Sequence, residues 1–249
     1  MIILKSQEEI EKMSRACRIV GETLAFLRDK IRPGVTTRQI DRFADEYIRT
    51  ADAMPAFKGY RGYPATICAS VNSEVIHGIP SDRILEEGDI LGVDLGAYKD
   101  GFYGDAAFTF PLGKISSEAE RLLKVTEEAL YKGIRQAIEG NRVSDISHSI
   151  QRHAENNGYS VVRAFVGHGI GRDLHEDPQI PNFGPPNRGP RLKAGMTLAI
   201  EPMVNDGGHE VMILDDGWTA VTLDGGLSAH FEHTILITDD EPKILTEMK

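Results

Sequence analysis

Four acidic residues, Asp94, Asp105, Glu201 and Glu232, stand in apolar runs that read ILGVDLG, GDAAFTF, TLAIEP and AHFEHTILI. A carboxylate among aliphatic and aromatic neighbours is costly unless it is paired or holds a cation. Two of the four are brought together by a local signal. Asp100-Gly101 is a two-residue hairpin turn. Folding the chain there pairs Lys99 with Phe102 and sets Asp94 opposite Ala107. Asp105 then shares the face of Asp94, with Cβ atoms about 7 Å apart or less. Carboxylates that close repel, and one stays protonated unless a cation sits between them. A solvated hairpin face is the alternative, but Val93, Leu95, Ala106, Ala107 and Phe108 are too apolar for it. Two divalent cations would neutralise the four acids. Oxygen-rich ligation with one imidazole suits manganese, iron, cobalt or zinc, in a two-metal site with ions roughly 3.5–4 Å apart.

Three histidines lie in glycine- or proline-framed segments. His168 stands among Gly167, Gly169 and Gly171, His175 precedes Glu176-Asp177-Pro178, and His77 sits in VIHGIP. A lone histidine is more often structural, but three such positions in a chain with buried acids point to function. The glycines around His168 do not make a dinucleotide loop, because Arg172 stands where GxGxxG needs glycine. No HExxH, CxxC pair, GxSxG or P-loop occurs. Those absences exclude the single-zinc protease, structural-zinc, serine-hydrolase and phosphate-loop readings.

The elements that must position these residues form a repeat. LEEGDILGVDLG (Leu85–Gly96) rhymes with LKAGMTLAIEP (Leu192–Pro202), so that Gly88 matches Gly195, Leu91 matches Leu198 and Asp94 matches Glu201. In each, an apolar strand delivers an acid six residues after a glycine. Upstream of the first, Ser6 and Glu9 form a capping box, and Ile10, Met13, Cys17, Val20, Leu24, Leu27 and Ile31 make one helical stripe that Pro33-Gly34 ends. Thr36 and Gln39 open a second helix with Ile40, Phe43, Ala44 and Tyr47 inward. Upstream of the second, Ser117 and Glu120 open a helix carrying Leu123, Leu130, Ile134 and Ile138, broken at Gly140-Asn141. Ser144 begins another with Ile146, Ile150 and Ala154. Gly62-Tyr63 and Gly158-Tyr159 each read as the entry to a strand. The pattern predicts an α+β fold in a single domain, 1–249, built of two related halves of approximately 1–110 and 111–249, with no Ser/Gly-rich linker between them.

The bulk composition narrows the class. With 41% apolar and 27% charged residues, this is ordinary globular material long enough for one large core. A net charge of -10 argues against a general nucleic-acid binder, though not against a local basic patch. Cys17 and Cys68 do not make a disulfide framework, and Cys17 reads as a small core residue. No signal peptide and no membrane-length apolar run is read, so a cytoplasmic enzyme or binding protein is expected.

Taken in order, VIHGIP, VDLGAYKDGFYGD, GHGIGRDLHEDP, AIEPM and FEHTI resemble the type I methionine aminopeptidases of the bacterial form, from the first helix to about Thr238. The resemblance implies the pita-bread fold, with two pseudo-twofold-related halves around a central antiparallel sheet and helices on the outer face. It implies an enzyme that removes N-terminal methionine from nascent proteins and peptides when the second residue is small. Asp94 would chelate one metal, Asp105 and Glu232 would bridge the two, and His168 and Glu201 would complete the ligand set of the other. A metal-bridging water or hydroxide would be the nucleophile. Glu201 would be the general base, His175 would bond the scissile carbonyl, and His77 would contact the scissile amide. Phe57, Tyr60, Tyr63, Cys68, Leu174 and Trp218 would line the methionine pocket, with plain core packing the alternative for Phe57, Tyr63 and Cys68. A monovalent cation near Asn72 and Ser228, a ribosomal location and a monomeric state are further implications. Three positions depart from the family pattern: Arg61 replaces a common histidine, Leu174 a phenylalanine and His230 a glutamine. An X-Pro aminopeptidase or dipeptidase of the same fold is a second reading, disfavoured because the chain opens at the catalytic core. A non-catalytic pita-bread protein that binds RNA or protein is a third, disfavoured by the full ligand set.

Overall fold

The computed structural model describes residues 1–248. Helix α1 spans Gln7–Arg28, and its start is the expected box: the Ser6 hydroxyl accepts from Glu9 N while the Glu9 carboxylate accepts from Ser6 N at 2.9 Å. Met13, Cys17, Val20, Leu24 and Leu27 form its buried face. The helix stops at Arg28, short of Ile31, because Pro33 disfavours helical backbone at the residue before it. Ile31 is nevertheless buried, held by a turn in which its N–H donates to Leu27 O. Helix α2, Thr37–Thr50, carries a second box between Thr36 and Gln39. Its deepest residues are Ile40, Ala44 and Ile48; Phe43 and Tyr47, expected inward, are only half-buried.

Helix α3 spans Ser117–Ile134 and α4 spans Val143–Asn156. Both starts differ by one residue from expectation. Ser116, not Ser117, caps α3 by accepting from Ala119 N, and α4 begins at Val143 because the Asp145 carboxylate accepts from Arg142 N. Ile138 lies beyond α3 and is exposed, so the expected stripe ends at Ile134.

The strands fall into four hydrogen-bonded sheets, and the pairings are all antiparallel among the described residues. The first half is organised by the hairpin Ile90–Lys99/Phe102–Pro111, turned at Asp100-Gly101 with Lys99 opposite Phe102 and Asp94 opposite Ala107, as read from sequence. Ile67–Val71 adds to its other edge. Tyr63 ends a short 3-10 turn rather than entering a strand; Pro64 has no N–H for a ladder, and Thr66 N donates to Asp41 instead. Gly158-Tyr159 does lead into a strand, Ser160–Val161. The second half holds a five-stranded sheet in which Thr197–Ile200 lies between Val166–Gly169 and His233–Leu236. The exposed loop at Gly113 and Lys114 carries the chain from the hairpin to α3.

The hairpin and the second half meet along one line. Ala107 and Glu232 exchange backbone hydrogen bonds of 3.4 and 2.8 Å. On one side Thr234 Oγ1 donates to Asp105 O at 2.7 Å and accepts from Asp105 N at 3.2 Å. On the other Thr109 Oγ1 donates to His230 O at 2.7 Å and accepts from His230 N at 2.9 Å. Hydroxyls thus stand in for backbone where the strands are too far apart to pair. Helix α1 covers the hairpin at Gly104, where a Cβ would lie 2.7 Å from Cys17 Cα, so only glycine fits.

Candidate active site

The join delivers the acids to one place. Asp94 and Asp105 come from the hairpin, Glu201 follows the end of Thr197–Ile200, and Glu232 lies between Ser228–His230 and His233–Leu236. His168 is on Val166–Gly169, opposite Ala199. A Cβ on Gly167 would lie 2.5 Å from Ala199 O, and one on Gly169 would lie 2.2 Å from Asp177 O. The glycines beside His168 therefore allow neighbouring backbone to close on the histidine strand.

Ligand atoms of Asp105, His168 and Glu232 all lie within 4.8 Å of one another, and all three residues are buried. His168 Nε2 is 3.6 Å from Glu201 Oε1 and 4.0 Å from Asp105 Oδ2. His168 Nδ1 lies 2.9 Å from Gly169 O, a bond only its N–H can make. That fixes the tautomer and leaves Nε2 as a bare lone pair facing the acids. Burial pushes the His168 imidazole down to about 3, with His175 adding to the shift, so it is neutral and ready to ligate.

The acids shift the other way. Burial raises Asp94 to about 7, against a hydrogen bond from Asp105. Burial, then the charges of Glu232 and Asp94, hold Asp105 well above the usual carboxylate range. Burial followed by Asp94 and Asp105 does the same to Glu201, and burial followed by Glu201 and Asp94 to Glu232. Asp94 Oδ1, Asp105 Oδ1 and Glu232 Oε1 are buried without a hydrogen-bond partner among the described residues. Crowded acids, partnerless oxygens and one neutral imidazole nitrogen are a donor set that fits divalent cations.

These residues open onto a cavity of about 140 Å³ that is lined by every sequence-predicted site residue: Asp94, Asp105, His168, Glu201 and Glu232 at its floor, His77 and His175 beside them. Phe57, Tyr60, Tyr63, Cys68, Leu174 and Trp218 complete the wall. Tyr63 and Trp218 meet edge to face at 5.1 Å, and Trp218 also borders His77 at 6.3 Å. His77 adopts φ 60°, a strained backbone for a non-glycine residue, and burial lowers its imidazole to about 4. Pockets for drug-sized ligands run to about 300–1,000 Å³, so this one takes a single side chain.

The pattern of metallopeptidase family M24 matches residues 11–239. The chain belongs to the M24 metallopeptidases. It is 56% identical over 249 residues to a methionine aminopeptidase of Clostridium perfringens, covering 100% of both chains. The crystal structure of a methionine aminopeptidase from Thermotoga maritima superposes with a TM-score of 0.98 at 49% identity, covering 99% of this chain and 100% of that one. A prolidase from Pyrococcus horikoshii shares the fold at 24% identity with a TM-score of 0.82, and this chain spans 65% of it. The α+β expectation and the pita-bread fold of the M24 enzymes therefore hold.

The M24 site also contains residues whose contacts the sequence did not reveal. Asn182 Nδ2 donates to Glu201 O at 3.0 Å, anchoring the backbone of that acid. His230 is buried with Nε2 3.9 Å from Glu201 Oε2, so Glu201 lies between two imidazoles. Arg61 lines the cavity with φ 49°. Asn72 and Ser228 do come together, Ser228 N donating to Asn72 O at 2.9 Å. Thr109 and Thr234 left one faint signal, a hydroxyl with apolar residues on its C-terminal side, Phe110 and Ile235.

Proposed function

We propose that this chain removes the N-terminal methionine from nascent proteins and peptides whose second residue is small, with the residues around the cavity in the following roles. Membership of the M24 metallopeptidases and the near-full-length likeness to methionine aminopeptidases give the activity. The observation that carries the assignment of roles is the single cavity onto which five ligand-type side chains, two further histidines and an apolar wall all open.

Asp94, Asp105, His168, Glu201 and Glu232 would hold two divalent cations, cobalt, manganese, iron or zinc. Such cations, when bound, lower the pKa of water and polarise a carbonyl. The methionine side chain fills the pocket of Phe57, Tyr60, Tyr63, Cys68, Leu174 and Trp218, where a thioether packs well against aromatic edges. The free α-amine lies toward Asp94, which restricts cleavage to the first residue. Glu201 takes the proton of the attacking water and delivers it to the leaving amine. His175 donates to the scissile carbonyl as charge develops on its oxygen. His77 contacts the amide side and positions the leaving group.

The chain is read as one catalytic domain whose halves, approximately 1–110 and 111–249, are related by a pseudo-twofold. Support comes from the reciprocal contact of Ala107 with Glu232, which sets Asp105 beside Thr234 and Glu232 beside Ala107. A cytoplasmic monomer that meets its substrates at the ribosome, and a monovalent cation near Asn72 and Ser228, belong to the same proposal.

Peptide hydrolysis in metal-defined buffer tests it. Met-Ala-Ser should be cleaved, Met-Lys-Ser should resist and Ala-Pro-Ala should be untouched. Cleavage of Ala-Pro-Ala alone would establish the X-Pro reading instead, and no cleavage with any divalent cation would establish the non-catalytic one.

A further inference from the structure

His175 packs against two rings. The His168 ring lies at a centroid distance of 4.2 Å, tilted by 39°, and the Tyr60 ring lies at 5.3 Å, inclined by 17°. Tyr60 Oη is 2.9 Å from His175 Nδ1, and His175 has no other hydrogen-bond partner among the described residues. Tyr60 is held beside the imidazole by an unusual turn. Gly59 enters it at φ 88° and Arg61 follows at φ 49°. Backbone bonds from Gly59 N to Tyr63 O at 2.8 Å and from Tyr63 N to Tyr60 O at 2.9 Å close it. The Arg61 guanidinium carbon lies 5.3 Å from the centre of the Tyr60 ring, on which it packs. A left-handed non-glycine residue is strained and persists only where its surroundings hold it. Such a turn does more than supply a flat wall, which an extended segment would supply without strain.

The hydrogen bond has a direction. A phenol keeps its proton up to a pKa of about 10, and the acceptor nitrogen of a neutral imidazole is a better acceptor than a phenol oxygen. The hydroxyl therefore donates to Nδ1, and the imidazole proton resides on Nε2. In the opposite tautomer Nε2 would be a lone pair, which repels a carbonyl oxygen. We propose that Tyr60 is a positioning residue for the hydrolysis: by donating to His175 Nδ1 it fixes the Nε2–H tautomer and aims that N–H at the scissile carbonyl oxygen. This rests on the reading of His175 as the carbonyl donor and assigns Tyr60 a second task besides lining the pocket.

Tyr60→Phe separates the two tasks, because it keeps the ring, the stacking and the wall and removes only the hydroxyl. Loss of a donor to a developing oxyanion costs about 10²–10³ in kcat, and loss of its orientation should cost part of that, about 10- to 100-fold. KM for Met-Ala-Ser should stay within about twofold, since the pocket is intact. In a His175→Ala background, Tyr60→Phe should have no further effect, because the pair acts as one unit. Nitrogen-15 NMR of His175 should report the Nε2–H tautomer in the native chain and a mixture in Tyr60→Phe. An unchanged kcat in Tyr60→Phe, beside a large loss in His175→Ala, overturns the link and leaves the role of His175 standing. An undiminished Tyr60→Phe effect in the His175→Ala background also overturns the link. Full kcat in His175→Ala itself overturns the underlying reading.

Discussion

Thr234 and Asp105 hydrogen-bond to each other twice, through one hydroxyl that donates to Asp105 O and accepts from Asp105 N. Thr234 is fully buried, so no solvent replaces the hydroxyl if it is lost. Thr234→Val keeps the shape and orphans two backbone groups. Each buried unsatisfied group costs about 1–3 kcal/mol, and that loss should appear as a lower urea midpoint with an unchanged slope. Metal affinity, read by calorimetry, should fall with it, because Asp105 is the residue released. A midpoint equal to the native one would show that the double bond is not holding the join.

Asp105→Ala removes a carboxylate from the middle of the cluster of Asp105, His168 and Glu232. Turnover of Met-Ala-Ser should fall by about 100-fold or more, since even residues that merely orient metal ligands cost 10- to 100-fold. Calorimetric titration with manganese should show weaker binding at both sites. Native-like binding at one site would show that Asp105 does not bridge.

Lys5 and Glu176 form an ion pair with side chains only 3% and 6% exposed, in the segment that follows His175. Lys5→Ala leaves the carboxylate without its cation, with only the N–H groups of Arg172 and Asp173 on Oε1. Breaking a buried pair from one side costs about 3–5 kcal/mol, which for a chain this long lowers Tm by roughly 10 °C. Replacing both residues together, Lys5→Met with Glu176→Leu, should recover most of that loss. Equal melting of Lys5→Ala and the native chain would mean that the pair is solvated.

The metal-free chain should be more stable at pH 7.5 than at pH 8.5. His77 and His233, at about 4, and His168 and His230, at about 3, are lowered by burial. Their contribution is complete once pH is about a unit above the unfolded value of about 6.5, and is lost as pH falls through that value toward the folded ones. Asp94, raised to about 7, and Asp105, Glu201 and Glu232, held well above the usual carboxylate range, contribute stability below their unfolded values that is lost as pH rises through the folded ones. Between pH 7.5 and 8.5 the histidines are neutral in both states and the carboxylates still change, so Tm of chelated protein should drop. Added manganese should restore more at pH 8.5, because ligation needs the ionised acids. A chelated Tm that climbs over this interval would contradict the burial of the acids.

Local patterns in the sequence carried much of this site. The Asp100-Gly101 turn fixed the register of Asp94 and Asp105, and two capping boxes placed α1 and α2. Helix ends were misplaced by one to a few residues because the deciding groups, Ser116, Asp145 and Pro33, act one or more positions away from the apolar stripe. Contacts such as Tyr60 with His175, Thr234 with Asp105 and Lys5 with Glu176 join residues 115, 129 and 171 apart. Nothing in a local window marks such partners, since each residue type is ordinary where it stands. Which strands pair with which is not legible in the sequence, because strand alternation gives faces and not neighbours.

The exposed loop at Gly113 and Lys114 divides the cluster of acids and imidazoles unequally. Asp94 and Asp105 precede it, and His168, Glu201 and Glu232 follow. A nick there leaves two polypeptides, neither able to turn over a peptide alone. Their reunion must rebuild the contact of Ala107 with Glu232 before any hydrolysis is seen. Peptidase signal from co-expressed pieces would thus count reassembled molecules, making the chain a complementation reporter whose output is silent until both fragments have found each other.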